Sequence, residues 1–199
     1  FVDVKPDTLN IDESLVQQAI TVKTKAIIVV HYAGIACNMK ALCQIAKVNN
    51  LSLIEDAAQG IGASYYGKPL GTIGHYGAIS FHNTKNIHCG EGGAFYASRS
   101  RDYSEAAKII EKGTDRQDFI NKKVNKYQWV RYGSSYVLSG IQRALLAAQL
   151  EELEHVTNRR VDIWHDYQQQ FEKLEEEGLI QRPTIEEGAS INGHIFYIV

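Results

Sequence analysis

The chain has 199 residues, of which 44% are hydrophobic and 22% are charged, with 16 Gly and only 3 Pro. This composition is typical of a folded domain and excludes a collagen-like, disordered or disulfide-scaffold protein. The 21 basic and 23 acidic residues leave a formal net charge of −2. No basic field therefore favours nucleic acid or an anionic membrane as a partner, and a small molecule or another protein is expected instead.

Both ends of the sequence predict a piece of a longer protein. Phe1–Val4 is typical of the end of a strand already under way, without an initiator Met, and His194–Val199 is an apolar, strand-like run with no polar tail. No apolar run approaches the roughly 18 residues that span a bilayer. The three cysteines fit no zinc spacing, which favours reduced thiols and a cytoplasmic location.

The first regular elements follow a strand, helix, strand pattern. Lys25–His31 is a β-branched run, typical of a strand buried on both faces of a parallel sheet. Asn38–Val48 has apolar residues at helical spacing, with Asn38 placed as the N-cap. A second buried strand begins at Leu51–Ile54. Such a unit predicts a right-handed crossover and a ligand beyond the carboxyl ends of its strands.

The region from Gly60 to Gly93 is rich in glycine and predicts short strands joined by turns. A hairpin turn is expected at Gly67-Lys68, and a helix is expected over 100–112, before Gly113. The strands are predicted at 63–66, 78–82 and 93–98.

The second half of the chain predicts mainly helix. Residues 114–127 are polar and lack periodicity, which indicates a long surface loop. A helical pattern then runs from Ser139 to Gly178, with a break expected near Thr157-Asn158. We predict an α/β large domain over 1–155 and the start of a smaller α+β domain over 156–199.

Asp56 and Lys85 are the residues whose spacing points to chemistry. Asp56 ends a buried strand, and Lys85 comes just after the predicted strand 78–82, with Ser80 five residues before it and Gly90–Gly93 after it. This arrangement suits pyridoxal phosphate: a carboxylate keeps the pyridine nitrogen protonated, and a lysine amine forms a Schiff base. From spacing alone, a structural ion pair and a solvated lysine remain open alternatives.

Other motifs argue against different chemistry. His82, His88, Cys89 and Glu91 do not have zinc-ligand spacing, so no metal is expected. Gly62–Pro69 matches a phosphate-binding P-loop except that proline replaces the final Ser or Thr. A dinucleotide fingerprint is incomplete as well, which disfavours a Rossmann dehydrogenase.

Three ordered motifs carry a resemblance to a known family. Glu55–Gln59 (EDAAQ), Ser80–Asn86 (SFHNTKN) and Gly90–Gly93 (GEGG) resemble the core of the DegT/DnrJ/EryC1/StrS sugar aminotransferases. The resemblance implies the large domain of a fold-type I pyridoxal phosphate-dependent transferase, similar to aspartate aminotransferase. Its sheet is mixed and mostly parallel, with helices on its faces. Family members also have a phosphate-binding segment ahead of the position of Phe1.

The resemblance also implies roles for individual residues. Lys85 would bind pyridoxal phosphate covalently, and its freed amine would carry a proton between the substrate and the cofactor. Asp56 would pair with the pyridinium nitrogen, Gln59 would lie against the ring or its 3-hydroxyl, and Ser80 would bind the phosphate. Ser135 would reach the phosphate in the partner subunit, although many members have Asn there.

The implied reaction is ping-pong transamination from L-glutamate to the C4 ketone of a dTDP-4-keto-6-deoxyhexose. The residues Val30–Gly34 and Gly133–Tyr136 most resemble members that serve cell-surface polysaccharide synthesis of the enterobacterial common antigen type, and the family acts as a homodimer. Three alternatives stay open: amination at C3, dehydration, for which known relatives have His in place of Lys85, and a non-catalytic fragment.

Four further residues are candidates for binding the sugar nucleotide. A histidine at the end of each of two strands could line the sugar pocket, or could equally be a buried histidine with satisfied hydrogen bonds. Two aromatic residues near the polar loop could stack on a base, or simply pack. These residues are His31, His82, Tyr127 and Trp129.

Overall fold

A computed structural model describes residues 1–199. The chain alternates short strands and helices in its first half and is mainly helical in its second. None of its helices combines the length and the apolar character that crossing a membrane requires. In chain order the elements are α1 (Glu13–Ala19), β1 (Ala26–Val30), α2 (Met39–Val48), β2 (Ser52–Asp56), β3 (Ser64–Tyr65), β4 (Lys68–Pro69), β5 (Tyr76–Ser80), β6 (Gly93–Ala97), α3 (Ser100–Ile110), α4 (Arg116–Ile120), α5 (Gly140–Glu151), α6 (Leu153–Gln170), α7 (Glu172–Glu176) and β7 (Ala189–Ser190).

The central element is a four-stranded sheet in the order β1-β2-β5-β6. β1, β2 and β5 are parallel, and β6 runs antiparallel to β5. The register joins Val30 to Asp56 and Asp56 to Ala78, so the carboxyl ends of the three parallel strands meet at one edge. The prediction of a mixed, mostly parallel sheet flanked by helices is confirmed.

The two faces of this sheet differ in burial. On the covered face, Val29 and Glu55 are completely buried, because helix α2 packs there through Met39 and Leu42. On the opposite face, Ile28 is 63% exposed. Side chains alternate between the faces with a period of two, so the parity of each residue decides which face it joins. We call the second face the open face of the sheet.

Helix α2 forms where the sequence predicts it. The Asn38 side chain accepts a hydrogen bond from the backbone N–H of Ala41 at 3.1 Å, which satisfies one of the donors that the first helical turn leaves free. Met39, Leu42 and Ala46 are buried on the side of the helix that faces the sheet. Fully burying side chains of the size of Met and Leu contributes about 1.5–3 kcal/mol each.

A second, smaller sheet joins the end of the chain to its middle. The β3-β4 hairpin pairs with β7 in the order β4-β3-β7, all antiparallel. Nearby, Trp164 of α6 is 3% exposed and packs with Ala33, Ile35 and Ile191. Helix α6 also runs without interruption across the predicted domain boundary between residues 155 and 156. The division into two domains remains a prediction.

The structure corrects the prediction for the helical half in two places. The predicted loop over 114–127 contains the short helix α4. The helix break lies at Glu152, between α5 and α6, and the expected break near Thr157-Asn158 is wrong. Thr157 lies within α6 and packs where Gly62 leaves room: a Cβ on that glycine would lie 2.7 Å from the Thr157 hydroxyl oxygen.

The two ends of the chain also differ from the sequence prediction. Phe1–Val4 contributes only an isolated bridge between Val4 and Ile11, and α1, which was not predicted, follows that bridge. Residues 194–199 are not a strand; Val199 exchanges two backbone hydrogen bonds with Gln181, at 2.7 and 3.0 Å. Their apolar side chains pack against α6 instead, with the Phe196 ring 5.4 Å from that of Trp164.

Candidate active site

Asp56 and Ser80 lie on the open face at the carboxyl edge of the sheet. Asp56 ends β2 and is paired with Ala78, and Ser80 ends β5 two residues further along. Because alternate residues of a strand share a face, Ser80 projects on the same side as Ala78 and Asp56. Both side chains are half-buried. The edge where ligands bind in parallel α/β sheets therefore carries a carboxylate and a hydroxyl on the same face.

The residues after β2 hold Asp56 in place. Its Oδ1 accepts a hydrogen bond from the backbone N–H of Ala58 at 3.0 Å. The other carboxylate oxygen accepts no hydrogen bond from the protein. Gln59 follows, and its side-chain Oε1 accepts the backbone N–H of Ala33 at 2.6 Å, which ties the loop after β2 to the loop after β1.

Lys85 lies in a turn that begins directly after β5. Its backbone N–H donates to the His82 carbonyl at 2.9 Å, and the N–H of Asn83 donates to the Gly90 carbonyl at 2.9 Å. Gly90 has φ +86°, a conformation that glycine adopts without strain. These bonds fix the backbone that carries Lys85. The half-buried Lys85 side chain takes part in none of the ion pairs of the chain, and neither does Asp56.

His82 is at the start of the same turn and is partly exposed. Its Nδ1 lies 2.9 Å from the Thr84 hydroxyl oxygen and accepts the Thr84 backbone N–H at 3.3 Å. Its Nε2 lies 3.5 Å from the carboxylate of Glu91. Since 41% of the His82 side chain is exposed, this residue is accessible from solvent near Lys85, as a substrate contact requires.

His31 lies in one of the two environments that the sequence left open. The side chain is completely buried, its Nε2 donates to Glu55 Oε2 at 2.9 Å, and its Nδ1 accepts the N–H of Cys37 at 3.1 Å. Both ring nitrogens are therefore used inside the protein, and none is free for a substrate. His31 is the buried, satisfied histidine that was the open alternative, because its side chain projects to the covered face.

Glu55 is the partner of His31 and accepts four hydrogen bonds. Besides His31, the backbone N–H groups of Gly71, Ile73 and Gly74 donate to its carboxylate at 2.8, 2.6 and 2.5 Å. Desolvation by burial acts to raise the pKa of Glu55, but the bonds from His31, Gly74 and Gly71 outweigh it and lower the pKa. The carboxylate is thus charged and ties the 71–74 loop to β2, directly beside Asp56.

Tyr127, Trp129 and Ser135 lie on exposed segments beside the end of α3. Trp129 is 80% exposed and is bridged to Thr114, while Ser135 is bridged to Glu111. No hydrogen bond joins these residues to Asp56 or Lys85. Asp56, Gln59, Ser80, His82 and Lys85 thus lie at or just beyond the carboxyl ends of β2 and β5, whereas Tyr127, Trp129 and Ser135 lie on an outer surface.

The end of the chain contributes a polar group near Lys85 that was not predicted from the sequence. His194 Nδ1 lies 2.8 Å from the side-chain oxygen of Asn86. Desolvation, then the charges of Lys85 and Arg160, lower the pKa of His194 to about 4. His194 is therefore neutral at pH 7. The only signal in the sequence was one histidine at the start of an apolar run, which carries no information on contacts more than 100 residues away.

The fold and this edge together define a class of protein. The mostly parallel sheet flanked by helices is that of the fold-type I, pyridoxal phosphate-dependent transferases. A model of the DegT/DnrJ/EryC1/StrS aminotransferase family matches residues 1–199, and the chain belongs to this family. The family uses pyridoxal phosphate.

Comparison with individual proteins gives the same result. The chain is 38% identical to the uncharacterized protein MJ1066 of Methanocaldococcus jannaschii over 98% of its own length and 51% of that protein. It superimposes on an aminotransferase from Psychrobacter cryohalolentis with a TM-score of 0.92 and 28% identity, covering all of this chain and 52% of the other. It superimposes on the PLP form of the putative sugar aminotransferase Spr1654 from Streptococcus pneumoniae with a TM-score of 0.83 and 27% identity, covering 99% of this chain and 53% of the other. The chain thus spans about half the length of these relatives.

Proposed function

We propose that the protein containing this chain is a nucleotide-sugar aminotransferase that moves the amino group of L-glutamate to the C4 ketone of a dTDP-4-keto-6-deoxyhexose. The observation that carries this proposal is the edge described above, where Asp56 and Ser80 share the open face and Lys85 follows in the next turn. Membership of a sugar aminotransferase family supports it. The product would serve cell-surface polysaccharide synthesis, as in enterobacterial common antigen.

The side chains at this edge fit pyridoxal phosphate. One oxygen of Asp56 is held by Ala58 N–H, and the other has no protein donor, so it is available to a protonated ring nitrogen. Lys85 has no carboxylate partner within 4 Å, so its amine is not held in an ion pair. The Ser80 oxygen accepts the N–H of His82 at 3.2 Å, which leaves its hydroxyl proton to donate to a phosphate oxygen.

These residues divide the work of transamination. Pyridoxal phosphate, when bound, supplies an electron sink for the carbon that loses a proton. Asp56 keeps a proton on the ring nitrogen, and Ser80 and Gln59 hold the phosphate and the ring. The Lys85 amine would hold the cofactor covalently until the amino group of L-glutamate displaces it. The freed amine would then accept the proton from the substrate carbon that bears the amine and deliver it to the cofactor carbon that receives the amine. L-Glutamate, having given up its amino group, leaves as 2-oxoglutarate.

The exposed aromatic surface supports a homodimer in which Ser135 contributes to the partner's cofactor site. Trp129, Tyr132 and Tyr136 are 80, 100 and 66% exposed, and aromatic side chains are enriched at protein interfaces. Tyr127, 46% exposed, lies in the same part of the chain. In this proposal Tyr127 and Trp129, with His82, contact the sugar nucleotide at the interface. His31 is not included, since it is buried.

Cofactor attachment is tested on the chain itself. The protein is incubated with pyridoxal phosphate, reduced with borohydride and mapped by peptide mass spectrometry. We expect the label on Lys85 and its loss in Lys85→Ala, whereas Lys40→Ala, at an exposed site on α2, keeps it. Predominant labelling of another lysine would contradict the assignment.

The reaction is tested on the gene product that contains this chain. With L-glutamate and dTDP-4-keto-6-deoxyglucose we expect 2-oxoglutarate and an amino sugar, and NMR of the product distinguishes amination at C4 from amination at C3. Formation of a deoxygenated sugar without consumption of glutamate would indicate dehydration instead. No 2-oxoglutarate with any of several keto-sugars, despite cofactor on Lys85, would refute the aminotransferase proposal.

A further inference from the structure

Asn192 is completely buried, and all of its side-chain polar atoms have partners. Its amide nitrogen donates to the backbone carbonyls of Gln59 and Ile61, each at 2.7 Å. Its side-chain oxygen accepts the N–H of His194 at 3.0 Å. Since a buried amide without partners is costly, this set of bonds defines one position for Asn192 relative to the loop after Asp56.

The same residue is joined to the turn that carries Lys85. Asn86, the neighbour of Lys85, donates from its side-chain nitrogen to the backbone carbonyl of Asn192 at 3.0 Å. With its nitrogen used as donor, the Asn86 oxygen accepts, so His194 donates to it through Nδ1, at 2.8 Å. Asn86 is only 8% exposed. The two loops that bear Asp56 and Lys85 are therefore connected through residues 192–194.

The loop after β1 leaves the space that Asn192 needs. Gly34 has φ +77°, and a Cβ at this position would overlap the Asn192 side-chain oxygen. The neighbouring Ala33 N–H binds the side chain of Gln59 at 2.6 Å. Asn192 is thus the point where the loops after β1 and β2 and the turn after β5 meet.

We infer that Asn192 is a positioning residue for the cofactor site, which holds the Asp56 loop and the Lys85 turn at a fixed separation. The role at the cofactor site rests on the proposed function. The connection between the Asp56 loop and the Lys85 turn does not, and it can be measured without cofactor. Asn10 offers a matched control. It is 3% exposed and also makes two donor bonds to carbonyls, of Ile35 and Ala36, and one acceptor bond, from Tyr32 N–H.

The first measurement is hydrogen exchange of the chain without cofactor. In Asn192→Ala we expect backbone amides of both 57–63 and 83–89 to exchange about tenfold faster or more. The substitution removes the bonds to Gln59, Ile61 and His194, and so frees the 192–194 segment whose backbone carbonyl at residue 192 holds Asn86. In Asn10→Ala the increase is expected over 32–37 and not at the Lys85 turn. Unchanged exchange over 83–89 in Asn192→Ala, or the same increase there in Asn10→Ala, would overturn the inference.

A second variant covers the case in which Asn192→Ala does not fold. Asn86→Ala removes the links from the Lys85 turn to Asn192 and His194 but leaves the bonds from Asn192 to Gln59 and Ile61. We expect faster exchange over 83–89 with 57–63 unchanged. Protection of 83–89 equal to that of the wild type would show that the connection has no mechanical effect.

The last measurement separates positioning from general stability. Chains loaded with pyridoxal phosphate are titrated with acid and base while the visible absorbance of the bound cofactor is followed. We expect the pH midpoint of this absorbance change to move by about half a pH unit or more in Asn192→Ala. In Asn10→Ala the midpoint should stay at the wild-type value. An unmoved midpoint in Asn192→Ala overturns the positioning role. If the wild type carries no cofactor on Lys85, the proposed function fails, while hydrogen exchange still decides the link between the loops.

Discussion

Replacing Glu55 by Gln tests the buried carboxylate that supports the strand end bearing Asp56. Gln has the same shape but has one oxygen in place of two, so two of the four donors around Glu55 would face an NH₂ group. Hydrogen bonds to a charged group contribute about 1.5–3 kcal/mol each, so losing two of them costs about 3–6 kcal/mol. The free energy of unfolding of a domain is about 5–15 kcal/mol, so the loss of these two hydrogen bonds would remove a large fraction of it.

The assay is urea unfolding followed by circular dichroism, with the free energy of unfolding compared between variants. The control is Glu91→Gln, because the Glu91 side chain is 80% exposed and a surface substitution changes stability by about 0.5 kcal/mol or less. The pKa of Glu55 is lowered in the folded state, so its contribution is present above the usual range of a carboxyl pKa and is lost as the pH falls through the folded value. The difference between Glu55→Gln and wild type should therefore shrink in acid. A loss below about 1 kcal/mol at pH 7 would refute the reasoning.

Three further outcomes follow from single positions. The pKa of His194 falls from 6.5 to about 4 on folding, so the unfolded chain binds more protons and stability drops as the pH falls from 6.5 to 4. For this partly exposed ring we expect the free energy of unfolding to drop by about 1–2 kcal/mol after solvent screening. The free energy of unfolding of His194→Asn, measured across the same pH range, should lack this drop. Gly34→Ala should destabilise the chain by about 2 kcal/mol or more in urea unfolding, from its positive φ and the overlap with Asn192; a neutral effect would contradict the packing described here. Burial raises the pKa of Cys37 to about 12, so a thiol reagent should label Cys43, which is half-buried, in the native state and Cys37 only after unfolding; rapid native labelling of Cys37 would be inconsistent with its burial.

Helices and strands with strong local signals could be predicted from the sequence. Helix α2 has both a side-chain cap at Asn38 and a regular apolar face, and β1 is a continuous β-branched run. Helix α1 has only seven residues, too few for periodicity to emerge. The antiparallel direction of β6 was not predictable either, because the pattern of a strand does not encode its direction.

The site divides in the same way. Asp56 and Lys85 could be selected because their motifs are local in the sequence. Whether His31 faced the ligand or the core depended on the covered and open faces of the sheet, which only the packing of α2 decides. Asn192 and His194 could not be selected, since their partners lie 133 and 108 residues away along the chain and no short-range pattern marks such contacts.

The long separation between Asn192 and its partners has a consequence for biosynthesis. The Asp56 loop and the Lys85 turn are 133 and 106 residues ahead of Asn192, so a ribosome exposes both long before it releases the residue that joins them. The central sheet can form while translation continues, as N-terminal units generally do. The connection between the Asp56 loop and the Lys85 turn is completed only when residue 192 arrives, so the central sheet of a nascent chain can fold before that connection forms.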